Sequence, residues 1–179
     1  MIKLLLWLTE NRPIRFIDKG QQPYLQRYYL GALGGTRFYL HRFMQNDINE
    51  EVHNHPWSWG FSLVLWGSYL EDRLVDICPH ANLSGCITKR RRVRWFNWIP
   101  PNRFHRIVEA KSGTWTLMVH GKPAMVAPNV SKGWGFLKQK ISWLVESSPL
   151  CDGKHTVFIP MQSKAGWWET APLARDVER

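Results

Sequence analysis

What most limits the fold of this chain is its punctuation. Short runs of β-branched and aromatic residues are closed, about every eight to twelve residues, by Gly, Pro or Asn. Tyr28 to Leu33, Thr36 to Met44, Phe61 to Trp66, Tyr69 to Ile77, Arg91 to Ile99, His105 to Glu109 and Thr114 to His120 all have this form. The breakers are Gly34-Gly35, Pro56, Gly67, Pro79, Pro100-Pro101, Gly113 and Gly121-Lys122-Pro123. Runs of this length and spacing predict an all-β sandwich or barrel. Helical periodicity is confined to the first nine residues and to Trp134–Val145, where Phe136, Leu137, Ile141 and Leu144 approximate an i, i+4 spacing. The second stretch reads equally as strand. Beyond Ser147 the chain is turn-rich until Val157-Phe158-Ile159, then carries Trp167-Trp168 and a charged tail whose end, Val177 to Arg179, is expected to be poorly ordered.

One domain over residues 1–179 follows, with a core at 24–145 and an irregular extension at 146–179. With 44% apolar and 21% charged residues, wholesale disorder is excluded. The apolar run Leu4–Leu8 is too short to span a membrane, and Glu10 and Arg12 follow it without a small-residue cleavage site, so neither a membrane partner nor a secretory signal is expected. Cys78, Cys86 and Cys151 are odd in number and lack CxxC spacing, which points to a reducing, cytoplasmic setting. No Gly-rich phosphate loop, G-x-S-x-G elbow or HExxH helix is present, which argues against nucleotide hydrolysis, serine hydrolysis and zincin proteolysis.

The chemistry concentrates in His53-Asn54-His55-Pro56-Trp57. Side chains alternate along a strand, so His53 and His55 share a face while Asn54 takes the other. Two such imidazoles can reach one metal ion, and ordinary hydrogen-bonded histidines are the competing reading. His105 opens a strand directly after the tight turn Pro100-Pro101-Asn102. A jelly-roll barrel brings a late strand beside an early one, which would complete a three-imidazole face. Three neutral imidazoles accept Fe(II), Zn(II), Mn(II) or Ni(II).

This arrangement resembles the two-part cupin signature: His53, His55 and Gly67, then Pro100, Asn102 and His105. The strings FYLHRF (38–43), HNHPW (53–57), FSLVLWGSYLE (61–71), RWFNWIPPNRFHR (94–106) and WWETAP (167–172) are similar to a group of small cupins of bacteria and bacteriophages described as cysteine-dioxygenase-like. The resemblance implies a double-stranded β-helix, a divalent metal with Fe(II) favoured, a small-molecule substrate and a homodimer. Where the cupin pattern carries a Glu after the second His, this chain has Trp59 and Gly60. That loss resembles the three-histidine thiol dioxygenases, in which ferrous iron keeps open positions for substrate and oxygen. A metal-dependent isomerase or lyase, or a non-enzymatic binding module, are the alternative readings.

Glu71, on the strand after Gly67, is a candidate fourth ligand or an acceptor for a ligand's second ring N–H, against a solvated carboxylate. His41 is a candidate proton-transfer group, against a satisfied core histidine. Trp57 and Trp59 are candidate substrate contacts, and most of the group Trp66, Trp95, Trp98, Trp115 and Trp134 are assigned to the core. Arg94 and Arg103 are candidate clamps for a substrate carboxylate or phosphate. The run Lys89-Arg90-Arg91-Arg92-Val93-Arg94-Trp95 contributes to a net charge of +10 and reads as a charge-protected edge strand, with single-stranded nucleic acid as the other reading.

Overall fold

The computed structural model describes residues 1–18, 23–45, 51–77, 86–127, 130–131, 133–141, 154–161 and 166–177. Cys78, His80, Cys151 and the side chain of His155 therefore lie outside the described residues. The elements run α1 (Ile2–Thr9), β1 (Ile14–Asp18), β2 (Pro23–Leu33), β3 (Thr36–Phe43), β4 (Gly60–Trp66), β5 (Tyr69–Ile77), β6 (Cys86–Val93) and β7 (Phe96–Ile99). They continue with β8 (His105–Ala110), β9 (Trp115–His120), β10 (Met125–Ala127), β11 (Val130–Ser131), β12 (Trp134–Ile141), β13 (Lys154–Met161), a 3-10 turn (Trp167–Glu169) and α2 (Ala174–Val177). The predicted runs become β2–β9, with two differences. Arg91–Ile99 is broken at Arg94-Trp95, which forms the turn between β6 and β7. Trp134–Ile141 is strand, because it pairs along its length with β13.

The fold is an all-β jelly-roll. Six antiparallel strands form one sheet in the order β1-β2-β3-β9-β4-β7, and β6-β5-β8 form the second. The second sheet is extended through His53, which bridges to His105 of β8 on one side and to Phe136 of β12 on the other. Gly34 and Gly35 both take positive φ, +57° and +83°, as the tight β2–β3 hairpin turn requires.

Alternation along the strands sorts side chains between two surfaces of the larger sheet. Tyr28, Leu40 and Trp115 are buried against Leu5 of α1 and Ala174 of α2, which cover that side. The other side meets the second sheet. One end of the interior is apolar, built from Leu25, Phe43, Val64, Tyr69, Val93 and Ala110. The opposite end holds Tyr39, Ile99 and Met118, with Tyr29, Trp57 and Trp167 packed against them. Between these clusters the interior turns polar. The segment after residue 153 is built into this frame: β13 pairs with β12, Trp168 stacks on Tyr29 at 4.4 Å, and Ala174 is fully buried. Among the described residues no helix is long and apolar enough to cross a membrane.

Candidate metal centre

Backbone pairing brings the sequence-predicted histidines together. The His53 N–H donates to the His105 carbonyl at 2.8 Å, and the His105 N–H returns the bond at 2.9 Å. On its other side the same segment is held by Asn54 N–H to Gly135 O (3.1 Å) and Leu137 N–H to Val52 O (2.9 Å). Residues directly opposite across an antiparallel pair project to one face, so the imidazoles of His53 and His105 start side by side. His55, two residues on, returns to that face. Asn54 points away, is buried, and accepts the Gly135 N–H on Oδ1 at 2.8 Å, pinning the strand that carries both histidines.

Each pair of the three rings has its centroids 5.1 Å apart, and one nitrogen from each lies within 4.8 Å of the others. Nε2 of His55 and Nε2 of His105 are 2.9 Å apart. Two nitrogens each about 2.1 Å from one ion at a right angle would lie about 3.0 Å apart, so the His55–His105 pair is spaced for one divalent ion, with the third ring close by. Burial is the main cause holding His55 well below the ordinary histidine range, and the charges of His105, His53, Arg27 and His120 act in the same direction. It is therefore a neutral ring with a lone pair to offer.

Glu71 stands behind His105. Its Oε1 accepts the His105 Nδ1–H at 2.6 Å, which leaves Nε2 of His105 facing His55. Burial opposes ionisation of this fully enclosed carboxyl, yet bonds from His105, Asn97 and Arg91 hold it well below the usual carboxylate range. Its other oxygen accepts from Arg73 Nε (2.9 Å) and Arg91 Nε (2.8 Å). Thus Glu71 orients one histidine and is not among the three residues whose donor atoms converge. Asn97 organises the next layer. It is 1% exposed, its amide donates to Glu71 Oε1 (2.9 Å) and Tyr69 Oη (3.0 Å), and its oxygen accepts from Arg73 and Arg91. Burial first, then the Glu71 charge, pushes the Tyr69 hydroxyl up to about 12, so it stays protonated.

The rest of the interior near the triad is aromatic and cationic. Trp57 lies between two imidazoles, with its ring 4.2 Å from His55 and 4.1 Å from His120, both nearly parallel. His120 stacks in turn on Tyr39 at 5.4 Å. Both faces of Trp57 are thus occupied, which leaves only its edge for a ligand. His41 is buried, and its Nε2 accepts the Nε–H of Arg27 at 2.9 Å. Burial chiefly, with the Arg27 and His120 charges, keeps His41 well below its ordinary range. Arg27 also lies over the Tyr39 ring at 5.7 Å, and among the described residues no carboxylate pairs with it.

The remaining candidates lie elsewhere. Arg94 is exposed on the β6–β7 turn. Arg103 lines a small cleft of about 180 Å³ with Leu74, Pro100, Asn102 and Phe104. Trp59 stacks on Trp98 at 5.9 Å, away from the triad. Arg27, Asn97, Arg73 and Tyr69 were not singled out by the sequence. The available signal was Asn97 itself, a lone amide in the aromatic run Trp95-Phe96-Asn97-Trp98.

No protein-family model matches the chain, and no curated protein matches it. Three solved structures share part of its architecture. Hydroxypropylphosphonic acid epoxidase from S. wedmorenis is 15% identical, with a TM-score of 0.45 over 63% of this chain and 56% of that one. Streptomyces albus HEPD, with 2-hydroxyethylphosphonate and Fe(II) bound, is 10% identical, with a TM-score of 0.48 over 66% of this chain and 25% of that one. Oxalate decarboxylase from Bacillus subtilis is 14% identical, with a TM-score of 0.46 over 78% of this chain and 33% of that one. The chain spans well under two thirds of each.

Proposed function

We propose that this chain is a mononuclear metalloenzyme of cupin type, in which His53, His55 and His105 hold one divalent ion, ferrous iron foremost, for the oxygen-dependent oxidation of a small acidic molecule. The observation that carries the reading is the convergence of three ring nitrogens, one from each histidine, within 4.8 Å of one another. A bound ferrous ion would supply open coordination positions and electrons for dioxygen chemistry. The chain supplies the rest. Glu71 holds the Nδ1 proton of His105 and so keeps its Nε2 lone pair available. Trp57, His120 and Tyr39 wall the interior with stacked rings and exclude water. Arg27 is a desolvated cation without a carboxylate partner among the described residues, and the oxygens of a carboxylate or phosphate-type substrate match it. His41 acts by holding that guanidinium in place.

Elemental analysis of the protein as purified tests the metal. One equivalent of a divalent ion is expected, lost in His53→Ala and His105→Ala. A protein that refuses Fe, Zn, Mn and Ni sinks the reading. Oxygen uptake with thiols and other small acids tests the chemistry. Arg27→Met should raise KM severalfold while metal content stays unchanged.

A further inference from the structure

The larger sheet ends in an aromatic edge that no described part of the chain covers. On β7 the strand pattern is inverted: Asn97 and Ile99 are buried, whereas Phe96 and Trp98 are 63% and 50% exposed. Trp95, in the turn before it, is 74% exposed. Trp98 stacks nearly parallel on Trp59, and Phe96 stacks on Phe61 with the rings inclined by 24°. β7 is the last strand of its sheet, so among the described residues no strand pairs beyond it and these side chains stay exposed. Helices α1 and α2 cover the same surface of the sheet around Tyr28, Leu40 and Trp115, over strands away from the β7 edge. The exposed rings amount to several hundred Å² of aromatic surface, at roughly 150–250 Å² per side chain, which on a soluble domain marks a binding surface.

The rim of this surface is cationic. β6 leads directly into β7 and is itself an edge strand of the smaller sheet. Two of its arginines are engaged in ion pairs, Arg90 with Asp72 and Arg91 with Glu71. Arg92 is exposed with one hydrogen bond, to Ser68 Oγ at 3.3 Å. It lines a cleft of the smaller sheet with Glu109 and Lys111, apart from the β7 rings. Arg94 is exposed, and among the described residues no carboxylate pairs with it.

We infer that the β6–β7 edge, centred on the Arg94-Trp95 turn, is a docking surface for single-stranded nucleic acid, with bases stacking on Trp95, Phe96 and Trp98 and a phosphate held by Arg94. Every base has a π-face, so a row of exposed rings beside Arg94 suits a single strand without demanding a sequence. Phe96 and Trp98, two residues apart on one strand face, offer consecutive platforms about 6.6 Å apart. A second copy of this chain is disfavoured as occupant, because a symmetric contact there would set Arg94 against Arg94. The surface is independent of the histidine triad.

Fluorescence anisotropy with a labelled oligothymidylate tests the inference on the full chain. Saturable binding at low salt is expected, weakening as salt rises with a log–log slope of about −0.7 per phosphate contact. Trp98→Ala and Phe96→Ala should each weaken it about 5- to 100-fold. Arg94→Glu should weaken it and flatten the salt slope, with an unchanged circular dichroism spectrum as the folding control. Absence of binding at low salt overturns the proposal, as does equal binding by the variants. So does a wild-type dimer that Trp98→Ala converts to monomer, or capture by phosphatidylglycerol vesicles without capture by the oligonucleotide.

Discussion

Oε1 of Glu71 lies 2.6 Å from Nδ1 of His105, while the opposite nitrogen of the same ring lies 2.9 Å from His55. One carboxylate therefore sets both the tautomer and the direction of a donor. In Glu71→Gln the charge is gone but the shape is kept, so the fold should survive and the metal should bind more weakly. Titration with a divalent ion is expected to show a loss of about 10- to 100-fold in affinity. An unchanged affinity would remove Glu71 from the site.

Asn97 uses both ends of its amide on buried partners. Asn97→Leu leaves Tyr69, Glu71, Arg73 and Arg91 each short of a bond in the interior. A buried polar group left unsatisfied costs about 1–3 kcal/mol. Urea unfolding should show a destabilisation of at least about 2 kcal/mol, and a smaller value would mean that water replaces the amide.

His120 makes stability depend on pH. Burial lowers its pKa to about 4, against the backbone bond to Gly121, which raises it; the charges of Arg37 and Arg27 add to the lowering. The unfolded chain takes up this proton near the ordinary 6.5, the folded one only near 4. Stability from the neutral ring is complete above pH 6.5 and is lost as pH falls toward 4, by up to about 3 kcal/mol. Urea midpoints measured downward from pH 7.5 should decline, and His120→Phe should show a shallower decline. His41, lowered in the same direction, leaves a residual slope in that variant.

Gly67 links β4 to β5 at φ +84°, a conformation that side chains rarely adopt. A Cβ there would also collide with the Thr114 side chain, whose Oγ1 donates to the Ser68 carbonyl at 3.2 Å. Gly67→Ala should lower the thermal midpoint by several degrees, corresponding to roughly 1–3 kcal/mol. A midpoint matching wild type would show that the turn relaxes freely.

The histidine triad was legible in the sequence because it needs only strand alternation and one turn: His53 and His55 share a face, and Pro100-Pro101-Asn102 aims His105. Glu71 was legible as an acceptor on the same ground. The network behind it was not. Asn97 meets Glu71 and Tyr69 only through the placement of β5, β6 and β7, and such long-range register leaves no local trace. Hydrophobic patterning misdirects at this strand, since Phe96 and Trp98 are the residues that face outward. The core assignment of most tryptophans holds for Trp115, 0% exposed, and is corrected for Trp66, Trp95 and Trp98, 48%, 74% and 50% exposed. Burying the amide that serves the charged network turns Phe96 and Trp98 outward by alternation. Of the run Lys89–Trp95 read as one edge strand, Arg94 and Trp95 fall outside it because β6 ends at Val93.

His53 is at once a rung of the second sheet and a donor to the triad, since its own N–H and carbonyl join β8 while its neighbours hold β12. Opening that seam would swing one donor out of reach of the other two. Release of a bound ion and solvent access to the His53 and His105 amides are then a single event, and the rate at which the barrel breathes along this line sets the lifetime of anything held there.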